Sequence, residues 1–233
     1  MMNTGSILKA FCAAALFTCL CRAQEAKEPK TIITGEQMEM TGGGKTVIFT
    51  GAARVVKGVD ELTADRIVQD KKNNKVEAEG NVVFKSVSKD NEPFRGSSQK
   101  AFYDLNGERG ELSGGKPEIL YYMKTSTSPV IFRADDITFD NVKQELYGKN
   151  NVEIITSSIT AYAPEAVLEQ KEKKVILTGP VPQPFVIYSE GGRKNRYRAD
   201  KITFFASGNK VQLKGNVRAV MTVEDKNAKA KGK

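Results

Sequence analysis

Apolar and polar residues alternate along this chain in short runs, and the runs come in pairs. In Tyr197–Met221, Ile202 and Phe204 fall on one face of a first run, and Val211, Leu213, Val217 and Ala219 on one face of a second. The segment Ala206-Ser-Gly-Asn-Lys210 joins them. Alternation with a period of two predicts strands, and a short Gly/Asn segment between two such runs predicts a hairpin. The same pattern lies over five earlier segments. A small residue starts each unit (Gly35, Ala64, Ser98, Ala134, Ala163, Ala199), and in five of the six a glycine follows 16 positions later (Gly51, Gly80, Gly114, Gly179, Gly215). In the fourth the nearest glycine is Gly148, 14 positions on.

The apolar positions repeat with the same discipline. Three residues after each anchor stand Met38, Ile67, Ala101, Ile137, Ala166 and Ile202; five after it stand Met40, Gln69, Tyr103, Phe139, Leu168 and Phe204. On the return strand Phe49, Ala78, Leu112, Leu146, Leu177 and Leu213 precede the marker glycines by two. Side chains alternate faces along a strand, so these series share one face, together with Val47, Val76, Val175 and Val211. Glycine inside a strand pattern predicts a bend or bulge after which the strand continues. A unit of about 30 residues carrying two amphipathic strands cannot bury its apolar face alone, so neighbouring units must stack into one core. No stretch has helical periodicity. The reading is all-β: one domain over residues 24–222, built from about six strand-pair units. Its register is least defined at Gly114-Gly-Lys-Pro117 and Pro180-Val-Pro-Gln-Pro184, where extra residues interrupt the pattern.

Composition then narrows the setting. Residues 1–23 read as a secretory signal, with Lys9, a short apolar run from Phe11 to Leu20, and Cys21-Arg-Ala23 ending in a small residue. The run offers about ten apolar residues where a spanning helix needs about 20; retention as an anchor stays open as an alternative. All three cysteines lie in this segment, so a chain cleaved after Ala23 would have no thiol and would rely on packing for stability. Removal of Lys9 and Arg22 takes the formal charge from +8 to +6. That moderate, dispersed positive charge fits anionic lipid or glycan better than nucleic acid. The tail 223–233 is charged, nearly without apolar residues, and expected to be disordered.

The chain has no histidine and no tryptophan. Ser-His and Cys-His nucleophilic catalysis and the usual zinc and copper sites are therefore excluded from the exported chain, and no cofactor or metal is expected. The densest acidic cluster is Asp135-Asp136 with Asp140, and paired carboxylates can hydrolyse glycosides. Asp65, Asp135 and Asp200 occupy the same slot in three repeats, however, which marks repeat punctuation rather than catalysis. Gly42-Gly-Gly-Lys45 lacks phosphate-loop spacing and reads as a turn.

Four runs, Ile33-Thr-Gly-Glu-Gln-Met-Glu-Met40, Val47-Ile-Phe-Thr-Gly51, Leu62-Thr-Ala-Asp-Arg-Ile-Val68 and Val76-Glu-Ala-Glu-Gly-Asn-Val-Val-Phe84, closely resemble the OstA/LptA-like family of periplasmic lipopolysaccharide-transport proteins. The resemblance implies an open, twisted antiparallel β-jellyroll whose apolar inner face holds the acyl chains of lipid A. It also implies protomers joined end to end into a bridge across the periplasm. LptC-like and LptD-like proteins share the fold and are the implied partners. Expected lipid-binding residues are Thr31, Ile33, Met38, Val47, Phe49, Val55, Ile67, Val76, Phe139, Leu146, Ile202, Phe204 and Leu213. The first two rest on resemblance to the family's lipid-contacting first strand. Arg54 and Lys85 are candidate rim contacts for the lipid's phosphates. An LptC-like inner-membrane component, a non-transporting envelope scaffold and a secreted carbohydrate-active β-repeat enzyme are the alternatives. Open repeat stacks leave unpaired strand edges, here around Thr31–Ile33 and Val211–Val220, which predicts end-to-end association.

Overall fold

The computed structural model describes residues 31–88, 91–124, 126–190, 193–206 and 210–221. The expected signal, the charged tail and Ser207–Asn209 of the last turn lie outside the described residues. Every regular element is a strand: β1 (Thr31–Thr34), β2 (Gln37–Thr41), β3 (Thr46–Lys57), β4 (Asp60–Asp70), β5 (Lys75–Val87), β6 (Pro93–Asp104), β7 (Arg109–Ser113), β8 (Glu118–Tyr121) and β9 (Val130–Arg133). The second half continues with β10 (Asp136–Asp140), β11 (Glu145–Ile155), β12 (Ile159–Glu169), β13 (Lys174–Thr178), β14 (Phe185–Glu190), β15 (Arg193–Arg198), β16 (Lys201–Phe205), β17 (Val211–Lys214) and β18 (Arg218–Val220). All pairings are antiparallel.

Six strands (β3, β4, β5, β6, β11 and β12) are 11 to 13 residues long and bend midway, so each serves two wings of one folded sheet. β6 shows the arrangement: Lys100–Asp104 pair with β7 in the first wing, while Phe94–Ser97 pair with β8 in the second. The first wing holds the six expected hairpins, β2–β3, β4–β5, β6–β7, β10–β11, β12–β13 and β16–β17. The second wing is a corresponding series of antiparallel pairings from β1–β3 to β15–β18. The wings face each other with the apolar series between them, an open antiparallel jellyroll of repeated strand pairs.

The bends explain the repeat. At Gly51-Ala52, Gly80-Asn81, Asn150-Asn151 and Gly215-Asn216 two successive residues take positive φ, 73° and 45° in the first case and 59° and 49° in the third. Opposite Gly51-Ala52 stands Asp65 alone, because Thr50 pairs with Arg66 and Ala53 with Ala64. Two residues against one is a β-bulge, and it turns the strand from one wing into the other. The fourth unit therefore departs from the sequence expectation: its marker is Asn150, not Gly148, and it lies 16 residues after Ala134 like the rest. Asparagine reaches the left-handed region because its short side chain can bond locally. Asn151 Nδ2 donates to Asp135 at 2.7 Å, Asn81 to Asp65 at 3.0 Å and Asn216 to Asp200 at 2.9 Å. The repeated aspartate is thus a clamp across these three bends.

The two irregular units keep the architecture. In the third, Gly114, Gly115 and Lys116 all have positive φ before the strand resumes as β8. In the fifth, a five-residue excursion with a cis Val181–Pro182 bond ends at Phe185, which pairs with Tyr162. The amides of Ala134 and Ala199 donate to the carbonyls of Pro117 and Pro184, so the next unit still caps the insertion.

Candidate functional site: an apolar cleft in the N-terminal half

The interior divides into two unlike halves. From Leu112 to Ala206 the inner face is a closed core in which Ile137, Leu168, Val175, Leu177, Ile202 and Phe204 have no exposed surface. From Ile33 to Ala101 only a small cluster forms, around Val47, Phe49, Ala53, Ile67, Ala78 and Val82. Ile33, Val55, Leu62, Val76 and Ala101 are only half-buried at its margin. They line a cleft of about 360 Å³ between the wings, with Thr31, Gln69, Phe84, Phe94, Tyr103, Leu112 and Phe139. Its rims carry Lys57, Asp60, Glu61 and Ser86 on the second wing and Leu105, Glu108 and Asn141 on the first.

An aromatic cluster ends the cleft. Phe84, from the second wing, stacks on Phe139, from the first, with ring centroids 5.9 Å apart. Phe94 meets Phe84 edge-on at 5.7 Å, and Tyr103 stacks on Phe139 at 5.8 Å. Glycines create the space: Phe84 pairs across the strands with Gly96, and Phe139 with Gly110. A Cβ at either glycine would collide with the ring. Burial raises the Tyr103 hydroxyl above its ordinary pKa, and it accepts a hydrogen bond from Asn141 Nδ2 at 3.3 Å. Tyr103 therefore adds no charge to the cleft wall at neutral pH.

Beyond the aromatic cluster the rims are latched together. Glu92, on the turn between β5 and β6, is 1% exposed and bonded by Lys173 Nζ at 2.6 Å from the β12–β13 hairpin of the other wing. The Tyr121 hydroxyl and the Lys124 amide also donate to it. Burial pushes this carboxyl up, but the three hydrogen bonds outweigh burial and hold it below the ordinary carboxylate value.

The expected lipid contacts are sorted by this geometry. Thr31, Ile33, Val55, Val76 and Phe139 come together in the cleft. Val47, Phe49 and Ile67 form the packed floor behind it. Leu146, Ile202 and Phe204 lie inside the closed core, and Leu213 packs half-buried on its margin. Met38 and Met40 share the inner face but stand 58% and 59% exposed, because β2 ends the first wing and nothing among the described residues covers it. Arg54 and Lys85 are both drawn to Glu61, at 2.7 and 3.3 Å, so neither rim cation is uncommitted. The hydrogen bond from Arg54, then that from Lys85, lowers the Glu61 pKa. Sequence reasoning missed Leu62, Phe84, Phe94, Tyr103 and Ala101 as cleft residues; Phe84 stands four residues beyond the Gly80 bend, on the half of the strand that the hairpin pattern does not reach. Among the described residues no group of three or more His, Cys, Asp or Glu is placed to hold a metal.

Residues 32–145 match the family model described as LptA/(LptD N-terminal domain) LPS transport protein. The chain carries a domain of the OstA/LptA-like family. The matched stretch contains every residue of the cleft except Thr31, and the family is one of lipopolysaccharide transport. Among solved structures the fold is similar to LptH, the LptA-homologous periplasmic component of the lipopolysaccharide transport device of Pseudomonas aeruginosa. That likeness has 13% identity and a TM-score of 0.48, and covers 55% of this chain and 96% of that one. No curated protein matches. For an OstA/LptA-like domain the useful chemistry of such a site is transfer of apolar surface out of water, at about 0.8 kcal/mol per methylene.

Proposed function

We propose that this protein binds the acyl chains of lipopolysaccharide in the N-terminal cleft and carries the lipid through the periplasm between the inner and outer membranes, without chemistry of its own. The observation that carries the reading is the open apolar cleft between the wings, within the stretch that matches the transport family. Water filling a space lined by Ile33, Val55, Leu62, Val76 and Phe84 makes few hydrogen bonds, so replacing it with acyl chain is favourable. The sugars would stay outside the rims. Of the expected contacts, Thr31, Ile33, Val55, Val76 and Phe139 are the residues proposed to touch lipid, joined by Leu62, Phe84 and Tyr103.

Passage onward requires partners of the same shape. Among the described residues β1 and β2 each pair only with β3, and β17 and β18 only with β16 and β15, so both ends of the described sheet present unpaired edges. Head-to-tail pairing with further copies, or with LptC-like and LptD-like jellyrolls, would extend the inner face from one module to the next. Val55→Glu tests the cargo. With circular dichroism unchanged, lipopolysaccharide binding should weaken on the order of tenfold or more, as loss of a buried Val contact plus a buried charge requires. Undiminished binding would show that the cleft is not the lipid site.

A further inference from the structure

The strict repeat allows one bend to be compared with another, and the last is unlike the rest. Around the second bend Arg66 stands opposite Glu79 and pairs with it at 3.5 Å. Around the fourth, Asp136 stands opposite Lys149, and Arg133 opposite Glu153 with an ion pair at 3.2 Å. Around the sixth, Lys201 stands opposite Lys214 and Arg198 opposite Arg218. Like charges directly opposed across strands destabilise a sheet. None of these four has a carboxylate at ion-pair distance among the described residues. The acid at the bend itself, Asp200, is engaged by Asn216 and by Gln183 Nε2 at 3.0 Å.

All four cations point outward, since Ile202, Leu213 and Ala199 take the inward positions. They flank the outer side of one bend, on strands that lie side by side in the sheet. Val220, on the same face of β18 as Arg218, is 62% exposed beside them. Several cations and an exposed valine on one outer face complement a planar array of negative charge over an apolar layer. We propose that the outer face of this last bend docks on an anionic lipid bilayer, a face distinct from the strand edges left for pairing. The opposed cations, unfavourable in the free protein, are relieved by the headgroup charge. This does not depend on the cargo proposed for the cleft.

The test is cosedimentation of the purified protein with vesicles free of lipopolysaccharide, either neutral phosphatidylcholine or a mixture with phosphatidylglycerol. The unmodified protein should bind the anionic vesicles at low salt, release at high salt, and ignore neutral ones. The double variant Lys214→Glu with Arg218→Glu restores at the last bend the opposite-charge pairs of the second and fourth. It should fold with an equal or higher Tm and lose at least tenfold in vesicle binding, each charge counting for about fivefold. Equal binding by protein and variant, equal binding to neutral vesicles, or no binding to anionic vesicles would overturn the proposal. So would displacement by millimolar inorganic phosphate at matched ionic strength, which would reassign the surface to a small anion.

Discussion

Phe84 and Phe139 close the cleft with a stacked pair that spans both wings, and each lies against a glycine that leaves room for its ring. Chain length should therefore matter to binding only up to this wall. With a series of single-chain lipids, affinity should rise about fourfold per added methylene and then level off; Phe139→Leu should shift the plateau to longer chains. An unchanged plateau would show that the pair does not limit the site. Glu92 offers a second test at this scale. Its carboxyl is held below the ordinary value, so the stabilisation is present above the unfolded-state pKa, near 4.3, and is lost as pH falls through the lower folded value. Glu92→Gln should cost about 1–3 kcal/mol near neutral pH and flatten the acid limb of the unfolding curve, read by chemical denaturation between pH 3 and pH 7. Neither group was visible in the sequence as a partner of the other: Lys173 lies 81 residues from Glu92, and no local pattern joins a loop acid to a distant hairpin lysine.

The element that organises this fold is the bend, and here the sequence was nearly sufficient. Spacing and alternation identified six hairpins and placed the marker residue correctly in five. The fourth was misplaced on Gly148 because glycine was taken as the signal, whereas the physical requirement is positive φ, which Asn150 and Asn151 also meet. Gly148 instead lies on the inner face, where the Phe132 ring leaves no room for a Cβ. Gly80→Ala should accordingly destabilise by about 1 kcal/mol or more, since φ is 77° and the added Cβ would collide with Asp65. Asn150→Gly should change stability little. Thermal unfolding of the two variants checks both, and a Gly80→Ala protein as stable as the parent would contradict the clamp. What alternation could not show is which stretches of one continuous inward face are covered. Met40 and Phe204 occupy the same repeat position, yet one is 59% exposed and the other fully buried, because coverage depends on how the wings close and not on the strand that carries the residue.

For the whole molecule the contrast between halves is the functional statement. The C-terminal half is latched and filled, with Phe204, Ile202 and Leu177 in a sealed core; the N-terminal half holds its wings apart over the cleft. A uniform repeat thus gives a closed scaffold at one end and an open cleft, the proposed lipid site, at the other. Self-association through the uncovered β2 edge should follow: sedimentation should show concentration-dependent growth, reduced by Met40→Lys, which places a charge on the end of the inner face. A monomer at every concentration would remove that part of the account. The central claim, that lipopolysaccharide occupies the cleft and not the whole inner face, is tested most directly by photo-crosslinking in cells from two inward positions, Val55 and Phe204. The account predicts a lipopolysaccharide adduct from Val55 and none from Phe204; equal adducts at both, or an adduct at Phe204 alone, would contradict it.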